Sequence, residues 1–296
     1  MSQINQVPGT QEEVIEALLE NFPNLSAKLQ IAARYIIDHP YEVGVQTMRT
    51  LANEAGVHPN SFVRLARQIG FDGYDAMRER FRDFVRSGSG SPEERISWLQ
   101  SMEESGGSAA LVSEMYSSIE ANQEQAFRDQ DVEKLDRAAD WLLGAERVYV
   151  LGLGAGYPLA YYFWYVARML RDNFILIPRH GSQALDDIVG IGSDDVLVAM
   201  TFQPYRKEII ETQGYAGTRG AKTIGISDSP TASLLREADL GLSVPTHTPH
   251  FFHSNAAVSA LLETLCALMV ARGGSEATRH VREFTELRWR SGIYVE

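Results

Sequence analysis

Cysteine is nearly absent: Cys266 is the single thiol in 296 residues. One thiol excludes a disulfide framework and a cysteine zinc site, and its scarcity fits a reducing compartment. Spanning a bilayer takes about 20 predominantly apolar residues. The longest apolar candidate, residues 256–271, is broken by Ser259, Glu263 and Thr264. Residues 1–10 lack the basic stretch followed by an apolar run that marks a secretion signal. There is no internal repeat and no low-complexity tract. These absences predict a soluble, cytoplasmic chain with no membrane partner. Basic charge is scarce as well. The net charge of −12 counts at first against nucleic acid. Residues 1–90, however, hold nine Lys/Arg against eleven Asp/Glu, or −2, which leaves −10 for the rest. Arg64, Arg67, Arg78, Arg80, Arg82 and Arg86 lie close together within that first part. An acidic body with one locally basic face still permits phosphate contacts, and a dimer doubles them.

What is present is a 44% hydrophobic chain, enough for a sizeable core and long enough for two domains. The clearest break is Ser87-Gly-Ser-Gly-Ser-Pro92, a flexible composition, and a softer stretch follows at Ser105-Gly-Gly-Ser108. Before the break every strong segment has helical spacing. After Arg147, short β-rich runs at 148–151, 174–177, 196–200, 223–226 and 240–244 alternate with helical stretches near 157–171, 182–189, 205–218, 231–237 and 254–271. Such alternation predicts a parallel sheet with helices on both faces. The predicted order is an all-α domain over 1–86, a linker over 87–107, and a doubly wound α/β domain with a five-stranded parallel sheet over 108–296.

The stretch from Met48 to Arg67 has the spacing of a helix-turn-helix. Ala52 is small where two helices approach, Gly56 supplies the turn, and Val57, Phe62 and Leu65 fall on the core side of the second helix. Pro59 suits that helix's first turn, since its missing N–H would have no helical partner. Asn60, Ser61, Arg64 and Arg67 are left pointing outward, with Arg49 on the preceding helix, as donors and acceptors for bases and phosphates of double-stranded DNA. The alternative is a helical interaction domain whose arginines are merely solvated. Residues 71–85 read as a further amphipathic helix with arginines on its outer face.

From about Leu25 to Phe84 the sequence resembles the N-terminal domain of RpiR-type regulators. The resemblance is carried by the segment from Ser26 to Pro40, by Leu51-Ala-Asn-Glu-Ala-Gly-Val57, by Val63-Arg64 and by Gln68-Ile-Gly-Phe-Asp-Gly-Tyr74. His58 stands where that family usually has a small capping residue, and imidazole is a poorer cap.

Arg147-Val-Tyr-Val-Leu-Gly-Leu-Gly-Ala-Gly156 reads as a strand running into a glycine-rich turn before a helix, an arrangement that lets backbone amides approach an anion. The dinucleotide fingerprint fits poorly, because Tyr157 takes the place of its last glycine and the second strand ends in Pro178-Arg179 instead of an acidic residue. No cofactor is expected. Residues 130–272 instead resemble a sugar isomerase (SIS) domain, carried by the Gly152-x-Gly154 turn, Asp195-Val-Leu-Val-Ala-Met-Thr201, Lys207-Glu-Ile-Ile210 and the segment from Gly220 to Ser229. The resemblance implies a ligand at the carboxyl ends of the strands and a homodimer or homotetramer. It also implies departures. Gly156 replaces a usual serine, and Thr201-Phe-Gln-Pro-Tyr-Arg206 replaces a Ser-x-Ser-Gly-x-Thr loop, leaving Thr201 as the one hydroxyl, Gln203 as an amide and Arg206 as a guanidinium able to clamp a phosphate or carboxylate.

The expected ligand is therefore a small anionic metabolite, sugar phosphate-like, touched by Gly154, Gly156, Thr201, Gln203, Arg206, Ser227, Ser229 and His253. Arg206 also reads as an exposed surface charge, and Ser227 and Ser229 as ordinary turn caps. His247, His250 and His253 lack a nearby carboxylate, so no metal is expected. Six aromatics from Tyr157 to Tyr165 surround much of one helix, which suggests sheet packing plus a subunit contact, or a ligand-stacking role for Tyr157. The function expected is a ligand-responsive transcription regulator. The alternative is a phosphosugar isomerase or lyase with an accessory helical domain, but His180, Glu208, His250, His253 and Glu263 form no recognisable acid–base pair, and no catalytic residue is assigned.

Overall fold

The computed structural model describes residues 7–86, 92–129 and 131–294. Two compact units divide it: one is built from residues up to Ile119 together with His247–Ser254, the other from Glu120–Thr246 together with residues from Asn255 on.

The first unit opens with α1 (Gln11–Asn21), whose start is capped reciprocally: the Glu13 amide donates to Thr10 Oγ1 at 3.2 Å, and the Gly9 amide donates to Glu13 Oε2 at 2.6 Å. Then come α2 (Ala27–Asp38), α3 (Pro40–Val45), α4 (Met48–Glu54), α5 (Asn60–Gln68) and α6 (Tyr74–Arg86). A helix as short as α2 is marginal alone in water. Its stripe of Leu29, Ala32, Ala33 and Ile36, spaced by three and four, binds it to a core shared with Val14, Leu18, Leu51, Ala52, Phe62, Leu65, Met77 and Phe81. Each fully buried large aliphatic or aromatic side chain here contributes about 1.5–3 kcal/mol.

Residues 87–91 of the expected linker lie outside the described residues. From Pro92 the chain is helical as α7 (Pro92–Asp129), interrupted at Gly107 by φ 66° and ψ −179°. Trp98 is buried with Tyr41 and Val85, so this part of the expected linker packs as structure. Burial of an indole outweighs the flexible composition flanking it.

The second unit comprises α8 (Val132–Gly144), β1 (Val148–Gly152), α9 (Tyr157–Ala167), β2 (Phe174–Ile177), α10 (Ala184–Asp187), β3 (Val196–Met200), α11 (Lys207–Thr218), β4 (Lys222–Ser227), α12 (Ser233–Glu237), β5 (Leu240–Ser243), α13 (Ala256–Arg272) and α14 (Gly274–Arg290). The five strands form one parallel sheet in the order β2-β1-β3-β4-β5. Alternate strand residues feed two cores: Val148, Val150, Val196, Val198 and Met200 meet Phe163, Leu142 and Leu265 on one face. Tyr149, Leu151, Leu197 and Ala199 meet Ile188, Ile209 and Leu234 on the other. This period of two, buried on both sides, is why the strands read as unbroken apolar runs. At the entrance to β3, Asp195 is 2% exposed and takes a bidentate grip from Arg147, with Nε–Oδ1 3.0 Å and Nη2–Oδ2 2.9 Å. Among the described residues no single helix is long and apolar enough to cross a membrane.

Candidate functional site

The first candidate site is the helix-turn-helix formed by α4 and α5. Thr47 caps α4, accepting from the Thr50 amide at 3.2 Å. The helix ends at Gly56, whose φ of 67° only glycine adopts without strain, and the Val57 amide returns to Ala52 O at 2.9 Å. His58, expected to cap α5 poorly, does serve: its Nδ1 accepts from the Asn60 amide at 3.2 Å. Pro59 precedes the helix as its cap residue. Phe62, Leu65 and Ala66 are buried, while Arg49, Asn60, Arg64 and Arg67 are exposed.

Two expectations are corrected. Ser61 is buried at 8% exposure and does not project outward, because it stands four residues before Leu65 on the same helix face. Arg78 is not a free arginine on an outer face. It is half-buried and donates from Nε to Val43 O at 3.2 Å and from Nη2 to Gln46 O at 2.5 Å, closing the end of α3. Burial and the neighbouring Arg82 hold its guanidinium below the usual arginine range.

The second candidate site lies at the topological switch of the sheet, where β1 has β2 on one side and β3 on the other. Gly152 pairs with Met200 in register, so the loops after β1 and β3 leave the sheet at one level. Ligands of doubly wound sheets bind in such crevices. The loop after β1, residues Gly154–Gly156, makes a tight turn into α9, with φ 58° at Gly154. The loop after β3 brings Arg206 across it: a β-carbon on Gly154 would stand 2.7 Å from Arg206 Nη2 and 3.2 Å from Cζ. Thr201 and Arg206 are tied together, the Arg206 amide donating to Thr201 Oγ1 at 3.0 Å.

The sequence did not single out Asp228, although it lies between two serines that it did. Its Oδ2 accepts from the Gln203 amide at 3.1 Å, its Oδ1 accepts from the Ser227 hydroxyl at 3.2 Å, and the Tyr205 hydroxyl donates to the same carboxylate. Burial, then Asp228, push the Tyr205 phenol up to about 12.

Of the residues expected to touch ligand, Gly154, Gly156, Thr201, Gln203 and Arg206 fall on the loops after β1 and β3, Ser227 ends β4 and Ser229 follows it. Each of their hydroxyls already makes a hydrogen bond within the chain. Ser227 is fully buried and donates to Thr201 O at 2.7 Å, so it is no free polyol donor, and Ser229 Oγ accepts from the Thr231 amide at 3.2 Å as a turn cap. His253 belongs to the first unit, where its ring packs 4.2 Å from Phe252. Glu208, a possible base for the enzyme alternative, accepts from the Ala184 amide at 3.4 Å and joins α11 to α10. Of the α9 aromatics, Phe163 is fully buried, Trp164 donates to Phe174 O at 3.1 Å, and Tyr157, Tyr161 and Tyr162 are exposed.

Residues 142–272 match the SIS domain family. The chain is 24% identical over 288 residues to YbbH of Bacillus subtilis, an uncharacterized HTH-type transcriptional regulator, covering 90% of each protein. It is 22% identical over 284 residues to the HTH-type transcriptional regulator HexR of Pseudomonas aeruginosa, covering 93% of this chain and 95% of that one. Among solved structures, the sugar isomerase domain of an RpiR transcription factor from Sphaerobacter thermophilus is similar with a TM-score of 0.57 at 20% identity, over 60% of this chain and 98% of that one. The NanR protein of Vibrio vulnificus, complexed with ManNAc-6P, is similar with a TM-score of 0.57 at 19% identity, over 95% of this chain and all of that one. A helix-turn-helix ahead of a five-stranded parallel SIS sheet, in a chain similar along nearly its whole length to named HTH-type regulators, supports an RpiR-type transcriptional regulator with a SIS domain.

Proposed function

We propose that residues 1–86 bind double-stranded DNA through α5 and that the part from residue 108 on senses a small anionic sugar derivative, whose binding alters the DNA affinity. The observation that carries this reading is the pairing of an exposed polar row, Asn60, Arg64 and Arg67, with an exposed guanidinium at the sheet's switch point. Asparagine and arginine reach base edges in the major groove, where a good bidentate contact is worth about 1–3 kcal/mol of discrimination. Arg67 also donates from Nε to Asp72 O at 3.2 Å, which orients it at the helix end as a phosphate contact. Arg49 on α4 serves as a second phosphate contact.

A homodimer would present two copies of α5 to half-sites about 34 Å apart or a multiple of that spacing. The sugar phosphate bound by the similar NanR supports an anionic effector. We read the chain as a regulator and not as an isomerase, since Glu208 is engaged by α10 and the named relatives are regulators.

Fluorescence anisotropy with the chain's own promoter and with random DNA, across a salt series, tests the reading. Binding at least a hundredfold tighter to the promoter is expected, with an anion-dependent change in that ratio. Equal, fully salt-sensitive binding to both DNAs would overturn it.

A further inference from the structure

The rim at the switch point holds a small, countable set of charges. Arg179, after β2, is occupied: its amide donates to Asp187 Oδ2 at 2.6 Å and its Nε donates to Oδ1 at 2.9 Å. Lys207 pairs with Glu211 at 3.0 Å. Arg206 is exposed, and among the described residues its guanidinium has neither an ion pair nor a hydrogen bond. It is thus the cation on these loops whose guanidinium is wholly unpaired among the described residues. Facing the same loop is one negative charge, Asp228, with acceptor positions taken by the Gln203 amide and by the hydroxyls of Tyr205 and Ser227. An ionised carboxylate offers about four lone-pair positions, so room is left for a further donor.

A phosphomonoester brings a charge of about −1.5 to −2 at neutral pH and three strong acceptor oxygens. Meeting that demand takes several donors; Ser227 already gives its hydrogen to Thr201 O, and only Thr201 and Ser229, which accept from backbone amides, keep a hydroxyl hydrogen to offer. The second phosphate charge would stand uncompensated beside Asp228, on a chain of net charge −12. A carboxylate brings one charge and two coplanar oxygens, which match the parallel N–H pair of one guanidinium. Glycine at 154 gives the guanidinium the space that a β-carbon would otherwise take, 2.7 Å from Nη2.

We propose that the effector gripped at this rim is a polyhydroxylated monocarboxylate, of the sugar-acid class. Its carboxylate forms a bidentate pair with Arg206, and one of its hydroxyls donates to Asp228. This rests on reading the rim as the effector site and narrows the anion of that reading to a carboxylate.

The test uses the full chain, with thermal denaturation and calorimetric titration at fixed ionic strength. The probes are potassium gluconate and glucuronate on one side, and glucose 6-phosphate and inorganic phosphate on the other. At least one sugar acid is expected to raise the midpoint and to bind at least tenfold more tightly than either phosphate. Arg206→Lys should weaken that binding by tenfold or more, and Arg206→Gln should abolish it. Because Arg206 is exposed, both variants should keep the midpoint and circular dichroism of the unliganded chain. Tighter, Arg206-dependent binding of glucose 6-phosphate would overturn the carboxylate class and leave the effector site standing. No shift with any of the four probes, or shifts that survive in Arg206→Gln, would overturn both.

Discussion

The guanidinium of Arg206 occupies the space over Gly154, with Nη2 2.7 Å from where a β-carbon would stand. Two loops that leave neighbouring parallel strands are thereby joined, and glycine is required there twice over, for its φ of 58° and for the space above it. Gly154→Ala should carry a backbone penalty on the order of 1–2 kcal/mol. It should also push Arg206 off the turn. A lowered thermal midpoint together with lost stabilisation by anions is the expected outcome. A midpoint drop with anion binding intact would separate the backbone strain from any ligand role of the turn.

On the DNA-binding unit, Arg64→Ala should reduce promoter discrimination by about 1–3 kcal/mol and relax sequence preference at one position of the half-site. Ser61→Ala should leave promoter affinity within twofold, since the buried hydroxyl does not reach the surface. Titration of both variants against systematically mutated promoter duplexes checks this pair. A tenfold loss in Ser61→Ala would show that the helix presents a different face.

Asp187 supplies a pH-dependent contribution to stability. Burial pushes its carboxyl up, but the Arg179 amide, the Arg179 guanidinium and the Ser182 hydroxyl together hold it below the ordinary carboxylate range. A carboxyl with a lowered folded value stabilises above the unfolded value, near 4, and that stability fades as pH falls through the folded value. Removing a hydrogen-bonded buried charge costs about 1.5–3 kcal/mol. Asp187→Asn should therefore be less stable than the parent in urea at pH 7, with the gap narrowing below pH 4. A gap unchanged at pH 3 would contradict the assignment.

Cys266 on α13 should be inert in the folded chain. Burial pushes its thiol up to about 12, and Glu263 adds to the shift. Only the thiolate reacts with disulfide reagents. At pH 8 the native chain should show almost no thiol titre over minutes, and the urea-unfolded chain one full equivalent. Rapid labelling of the native chain would show that α13 opens locally.

Much of the second unit could be read directly. The five strands fall within a residue of the apolar runs seen in the sequence, because a strand buried on both faces has no polar alternation to blur its ends. Gly56 and its flanking apolar residues announced the turn between α4 and α5 for an equally local reason. Other elements were not legible. The helix α8 carries no glycine or proline signal separating it from α7, and the break inside α7 at Gly107 sits in a stretch that composition alone marks as loose. The roles of Ser227 and Arg78 depend on Thr201 O and on Val43 O and Gln46 O, in segments 26, 35 and 32 residues away.

By itself the sequence determined the fold class, the strand positions, the helix-turn-helix and the presence of a glycine turn and of Arg206 on two different loops. Those features arise from periodicity and from the conformational limits of single residues, which act over a few positions. The tertiary structure alone decided which polar groups at those loops are free. It spent the Ser227 hydrogen on Thr201 O, made Thr201 and Ser229 acceptors for backbone amides, brought Asp228 into the rim and left the Arg206 guanidinium unpaired among the described residues. A hydrogen-bond donor is available to a ligand only if no other part of the folded chain has taken it, and that is settled by contacts between segments distant in sequence.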